Sequence, residues 1–252
     1  MLQGNGFYLW NIRNCEKGDV KQIASAAKSA GLTHLLIKVS DRFYPHNTSP
    51  DGKTDFVPPL AEALREQGIK VWGWQYVYGY EPVPEARMAI QRIQKLDLDG
   101  FVIDAEKEYK LPGRDQAAKR YLGELRSRYP DLPIALSSFR FPTLHPQIPW
   151  KVFLEHVNIN MPQVYWEKAH NPAAQLARTL REFRNIAPQR PIFPTGAAYK
   201  GGGWRPTPED TLEFLNAVKD NGLSGCIFWG WEFCRRVGEP GGGRQPTLRP
   251  QQ

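Results

Sequence analysis

Residues 99–109 read DGFVIDAEKEY, an apolar run that suits a buried strand and ends in two carboxylates, Asp104 and Glu106, one residue apart. Burying charge is costly unless the group is paired or put to use, so this strand end is the first place to look for chemistry. Side chains alternate along a strand, which puts Val102, Asp104 and Glu106 on one face and Phe101, Ile103 and Ala105 on the other. A strand apolar on both faces belongs to a sheet covered on both sides, the habit of parallel sheets.

Outward from this stretch the same kind of run recurs. Strands are predicted over 6–12, 33–40, 69–78, 100–106, 132–138, 156–166, 191–198 and 223–231. Helical periodicity fills the gaps, over 19–30, 57–67, 84–97, 114–129, 145–155, 171–186 and 207–221. In the sixth of these helices Leu176, Leu180, Phe183 and Ile186 share one face, while Arg178, Arg181, Glu182 and Arg184 face water. Thr207-Pro208-Glu209-Asp210 supplies an N-cap, a proline at the first helical position and an acidic first turn. Gly31, Gly68 and Gly222 follow helices and precede strands, as C-terminal caps do.

Eight alternations of strand and helix predict an α/β chain folded as one (β/α)8 TIM barrel spanning residues 1–237, and 252 residues is a typical length for it. The eighth helix is expected to be reduced or missing, because FCRRVGEPGGGRQPTLRPQQ after Trp231 has little helical pattern; residues 238–252 read as a flexible tail.

Composition narrows the partners. The net charge of +7 and pI near 9.3 suit an anionic partner such as an acidic wall polymer. The basic residues are scattered over helix faces and form no dense run, which argues against nucleic acid. Cys15, Cys226 and Cys234 make neither a disulfide framework nor a C-x-x-C metal spacing. No apolar run is long enough to span a membrane. The start, MLQGNGFYLWNIRN, lacks the basic-then-apolar pattern of a leader, so the expectation is a cytoplasmic chain or one exported by another route, and a monomer. No cofactor or metal is expected. The five histidines form no H-E-x-x-H pair, Ser137 and Ser138 lie outside any G-x-S-x-G, and GGGW at 201–204 has no Walker lysine.

In a (β/α)8 barrel the functional groups come from the C-terminal ends of the strands and the loops after them. Strand four offers Asp104 and Glu106. Strand three offers Trp74, Tyr76 and Tyr78 on one parity, and strand six offers Gln163 and Tyr165. Strand eight offers Trp229 and Trp231 on one parity and Glu232 on the other, and Asp41 opens the loop after strand two. Two carboxyls this close do not ionise independently, so one holds its proton beside an anionic neighbour. Carboxyls, aromatic faces and amides together suit glycoside hydrolysis, in which an acid protonates the leaving oxygen and aromatic rings hold the sugars.

Asp99-Gly100-Phe101-Val102-Ile103-Asp104-Ala105-Glu106 resembles the D-G-x-D-x-D-x-E strand of family 18 glycoside hydrolases, the chitinases and chitinase-like proteins. Gln163-Val164-Tyr165, the GAA run at 196–198 and Cys226-Ile227-Phe228-Trp229 are similar to the sixth, seventh and eighth strands of its plant-type members. Val102 departs from that motif, standing where it has its inner Asp. The simpler D-x-E ending also resembles family 25 lysozymes, whose first-strand Asp is replaced here by the region of Tyr8. The resemblance implies Glu106 as general acid/base and Asp104 orienting an N-acetyl group whose carbonyl oxygen attacks the anomeric carbon. It also implies Tyr165 bonding that group and Trp229 flooring the central sugar site. The expected activity is therefore retaining cleavage of a polysaccharide with N-acetylated amino sugars, peptidoglycan or chitin. The alternatives are a non-catalytic carbohydrate-binding barrel, which the loss at Val102 suits, and a barrel enzyme of another type using Asp41, Glu106 and Glu232.

Overall fold

The computed structural model describes residues 2–234. The expected tail at 238–252 lies outside the described residues. Eight parallel strands alternate with helices: β1 (Gly4–Leu9), β2 (His34–Asp41), β3 (Lys70–Val77), β4 (Gly100–Ala105), β5 (Ile134–Phe139), β6 (Ile159–Gln163), β7 (Thr195–Ala197) and β8 (Gly225–Trp229). The helices are α1 (Val20–Ser29), α2 (Val57–Glu66), α3 (Pro82–Leu96), α4 (Arg114–Arg128), α5 (Trp150–His156), α6 (Pro172–Phe183), α7 (Pro208–Asp220) and α8 (Trp231–Cys234). β1 pairs with both β8 and β2, which closes the sheet into a (β/α)8 barrel. α8 runs to Cys234, the last described residue, and the expected end of this helix lies outside the described residues.

Strand parity sorts the core into two layers. Tyr8, Leu36, Trp72, Trp74, Val102, Ala135, Ile159, Met161, Phe193 and Ile227 fill the barrel interior. Phe7, Leu35, Ile37, Phe101, Ile103, Leu136 and Phe228 point outward and pack beneath the helices. At the bottom, Gly6 leaves space for the His34 imidazole, where a Cβ would collide. Burial holds the pKa of that imidazole down to about 3, so it is neutral packing.

Several elements are shorter than the sequence pattern. β7 begins at Thr195 because Pro191 and Pro194 lack the N–H that a ladder needs. α5 begins only at Trp150 because Pro146 and Pro149 interrupt the helical run. Where caps were legible they form: Thr207 and Asp210 make a reciprocal capping box at α7, and Gly31, Gly68 and Gly222 take positive φ after α1, α2 and α7.

One element has no counterpart in the sequence reading. Tyr44–Pro45 pairs antiparallel with Ser40 and Asp41, and the pairing of β2 with β3 skips a residue between Lys38 and Ser40. Asp41 therefore stands opposite Tyr76. The loop beyond is tied down by buried Asn47, which accepts from the Ile12 N–H at 2.9 Å and donates to the carbonyls of Trp10 at 3.0 Å and Lys38 at 2.8 Å. Truncating Asn47 would leave three buried backbone groups unsatisfied. Asn47→Ala is expected to lower the unfolding free energy by about 2–3 kcal/mol, measured from urea midpoints at unchanged m-value.

Candidate active site

β4 delivers its last inward residue, Asp104, to the mouth of the barrel, and Glu106 follows as the chain turns into the loop. Asp104 is buried, with 4% exposure, and Glu106 is half-buried. The Gln163 carboxamide at the end of β6 bridges them, donating to Glu106 Oε1 at 2.8 Å and Asp104 Oδ1 at 3.2 Å. The same nitrogen lies 3.3 Å from Ser137 Oγ on β5, and Ser137 also hydrogen-bonds Asp104. Among the described residues neither carboxyl sits in an ion pair. Lys38 pairs with Asp41 at 2.5 Å, and Lys107 lies 4.0 Å from Glu108. Lys38 and Lys107 thus serve other carboxylates.

Both carboxyls are pushed above the usual carboxylate range. For Asp104 the main cause is burial, followed by the charge of Glu106; the bonds from Ser137 and Gln163 and the charge of Lys38 oppose it only in part. For Glu106 burial again leads, the Gln163 bond opposes it, and Glu108 adds to it. This is the environment in which a carboxylic acid keeps its proton near neutrality.

Glu108 is a third acid that the sequence reading passed over. It accepts from the Tyr76 hydroxyl at 2.7 Å and lies close enough to Glu106 to act on it. Its signal was present, since Glu108 continues the alternation of Asp104 and Glu106. Ser137 and Tyr8 were also missed as site residues. The Tyr8 hydroxyl is 3.9 Å from Met161 Sδ and lies in the field of Asp104.

The remaining sequence-predicted residues divide. Tyr165 lies within the electrostatic reach of both Asp104 and Glu106, and its ring meets Tyr199 edge-on at 5.5 Å. Trp229, half-buried at the end of β8, rests on Tyr8 and Trp74, with ring centroids 5.4 Å away in each case. Tyr76 and Tyr78 pack edge-to-face at 5.1 Å, and Tyr78 hydrogen-bonds Asp41 at the rim. Trp74, Trp231 and Glu232 need correction. Trp74 is buried to 2% exposure with its indole N–H on the Leu9 carbonyl, so it supports Trp229 and has no free face. Trp231 lies outside the barrel wall, edge-on to Phe7 at 5.5 Å, because the strand ends at Trp229 and α8 turns it into the helix layer. Glu232 is buried against the backbone N–H groups of Trp10 and Asn11, at 3.4 and 3.3 Å, where it fastens the loop after β1.

No known family pattern matches the chain, and no curated protein matches it in sequence. Solved structures do. An endo-1,4-beta-D-mannanase from Thermotoga petrophila superposes with a TM-score of 0.66 at 13% identity, over 90% of this chain and 88% of that one. The shared fold is the (β/α)8 barrel. The spore cortex-lytic enzyme SleL from Bacillus megaterium gives 0.64 at 11%, over 92% and 72%. The PgaB glycoside hydrolase domain from Bordetella bronchiseptica gives 0.63 at 10%, over 94% and 97%. At such identities the likeness is one of fold alone. No helix among the described residues is long and apolar enough to cross a membrane, and no cluster of three metal-ligating side chains occurs among them.

The raised pKa of Asp104 has a thermodynamic sign. The folded protein holds this proton more tightly than the unfolded chain, whose Asp titrates near about 3.9. The group therefore costs stability as pH rises through and above that value toward its folded pKa. Asp104→Asn keeps the shape and removes the titration. Its melting temperature is expected to exceed that of the parent by more at pH 7 than at pH 4, as read by scanning calorimetry.

Proposed function

We propose that this chain is a retaining glycoside hydrolase acting on a polysaccharide that contains N-acetylated amino sugars. One observation carries the reading: two carboxyls without ion-pair partners, one buried and one half-buried, bridged by one amide at the end of the barrel where such enzymes work. Glu106, the more exposed of the two, is the general acid. It gives its proton to the glycosidic oxygen as the bond to the anomeric carbon breaks. The carbonyl oxygen of the sugar's own acetamido group closes onto that carbon, so no enzyme nucleophile is needed. Asp104 bonds the acetamido N–H and Tyr165 its carbonyl, which aligns the attack. Glu106 then takes a proton from water as the water opens the cyclic intermediate, restoring the acid and retaining configuration.

Trp229 is the platform for the sugar at the reacting centre, and Tyr76, Tyr78 and Asp41 line the neighbouring rim. The barrel fold shared with a mannanase, SleL and the PgaB domain supports a polysaccharide substrate, and the cortex-lytic role named for SleL favours peptidoglycan. A second reading, a carbohydrate-binding barrel without turnover, draws on Val102, which is fully buried among apolar neighbours where the resembled motif has an acid.

Zymograms containing bacterial cell walls or glycol chitin distinguish the two. The parent protein is expected to clear at least one of them, and Glu106→Gln to lose about 10²–10⁴-fold of the rate while keeping its circular dichroism and a melting temperature no lower than the parent's. Binding without clearing by both proteins would leave the non-catalytic reading standing. Proton NMR of the first product formed is expected to show the anomeric configuration of the substrate.

A further inference from the structure

Beside the carboxyls, where β5 leaves the barrel, stand two cations, Lys110 and Arg140, that the reaction above does not use. The Lys110 ammonium lies 4.4 Å from the centroid of the Phe139 ring, and the His145 imidazole stacks on the same ring with centroids 3.9 Å apart. The Arg140 guanidinium lies 4.8 Å from the centroid of Phe141. Among the described residues neither Lys110 nor Arg140 has a carboxylate within ion-pairing distance. The nearby Arg178, by contrast, is paired with Glu182 at 2.7 Å. Arg140 Nε is buried and donates to no acceptor.

A guanidinium nitrogen withdrawn from water and left unpartnered is costly, and the cost is recovered when an anion arrives. Burial is also the main reason that the pKa of Arg140 is lowered. Exposed Glu167 acts on Arg140 from outside ion-pairing distance and accepts a long bond, 3.5 Å, from the Tyr199 hydroxyl. This cationic shoulder belongs to the same mouth as the carboxyls. Lys110 acts on Glu106, and Arg140 interacts with Tyr165, which in turn feels Asp104 and Glu106.

We infer that Arg140 and Lys110 form a subsite for a carboxylate carried by the glycan, which selects an acidic polymer over neutral chitin. Arg140 presents a planar fork that matches a carboxylate, and Lys110 adds a point charge. Phe139 and Phe141 wall the site with apolar surface, which strengthens both attractions. Its place in the substrate path rests on the glycosidase reading, but its ligand chemistry is measured separately. Two sources of such a group are tested: muramic acid whose lactyl carboxyl bears no peptide, and uronates.

Calorimetric titration of the full chain, bearing Glu106→Gln so that nothing turns over, tests the subsite with four probes. These are a tetrasaccharide of alternating N-acetylglucosamine and N-acetylmuramic acid, the same compound with its lactyl carboxyls methylated, chitotetraose, and tetragalacturonate. The free acid is expected to bind about tenfold more tightly than its methyl ester at low salt, with the gap closing as salt rises. Arg140→Gln combined with Lys110→Gln is expected to abolish the gap while ester affinity and melting temperature hold, which also shows that the variant folds. Arg140→Lys is expected to keep part of it. Tighter binding of tetragalacturonate, lost in the same double variant, would support the subsite and name uronate as the source. Equal affinity for acid and ester, a gap that survives in the double variant, or no binding of any probe would overturn the proposal. A parent chain that binds the acid through Arg140 yet clears no polymer would keep this subsite and lose the enzyme.

Discussion

A closed parallel barrel gives each strand side chain two destinations, the interior or the layer beneath the helices, and this constraint governs the rest of the molecule. On β4 it sends Val102 into the interior and, one step further up, Asp104 to the top of that column. Apolar side chains such as Val102, Trp74 and Met161 dominate the interior below, so a carboxyl at its upper edge loses much of its hydration. Asp104 responds by holding its proton, and Glu106, a residue beyond the strand, shares the effect to a smaller degree. Gln163 makes the arrangement tolerable, because one donor group serves both acids and Ser137 serves the deeper one.

The aromatic residues make the floor on which this polar layer rests. Trp74, Tyr8 and Trp229 meet at steep angles with centroids 5.4 to 5.7 Å apart, a geometry in which each ring edge faces a neighbouring ring face. Only the uppermost, Trp229, keeps exposed surface. Lys38 lies 4.9 Å over Trp74 and turns its charge to Asp41, and the skipped residue in β2 is what brings Asp41 around to meet it. Charge is thus segregated around the mouth. Acids gather at the end of β4, a paired lysine and aspartate occupy the β2 side, and unpaired cations stand over β5.

The loops that frame this mouth are fastened by buried polar groups. Asn47 joins the loop after β1 to β2, and Glu232 holds the same loop from the far side of the closure. Both side chains satisfy backbone groups that would otherwise be stranded away from water, which is how irregular chain can sit against a rigid rim.

Much of this was legible in the amino-acid order, because strand and helix periods are local properties. The alternation of the two periods determined the eightfold barrel and the inward face of Val102 and Asp104. It also carried more than was drawn from it, since Glu108 extends the same alternation. Local pattern gave no access to the bulge in β2, the early end of β8, or the partners chosen across the barrel. Parity counted through Trp231 therefore aimed it at the mouth, when the strand had already ended and α8 had carried it to the outer layer. Trp74 and Glu232 show the same limit from the side of contacts. Whether a tryptophan is a platform or a support and whether a carboxylate reacts or fastens a loop depend on neighbours 65 and 222 residues away. Those neighbours meet only when the sheet closes, and closure is the step that decided the site.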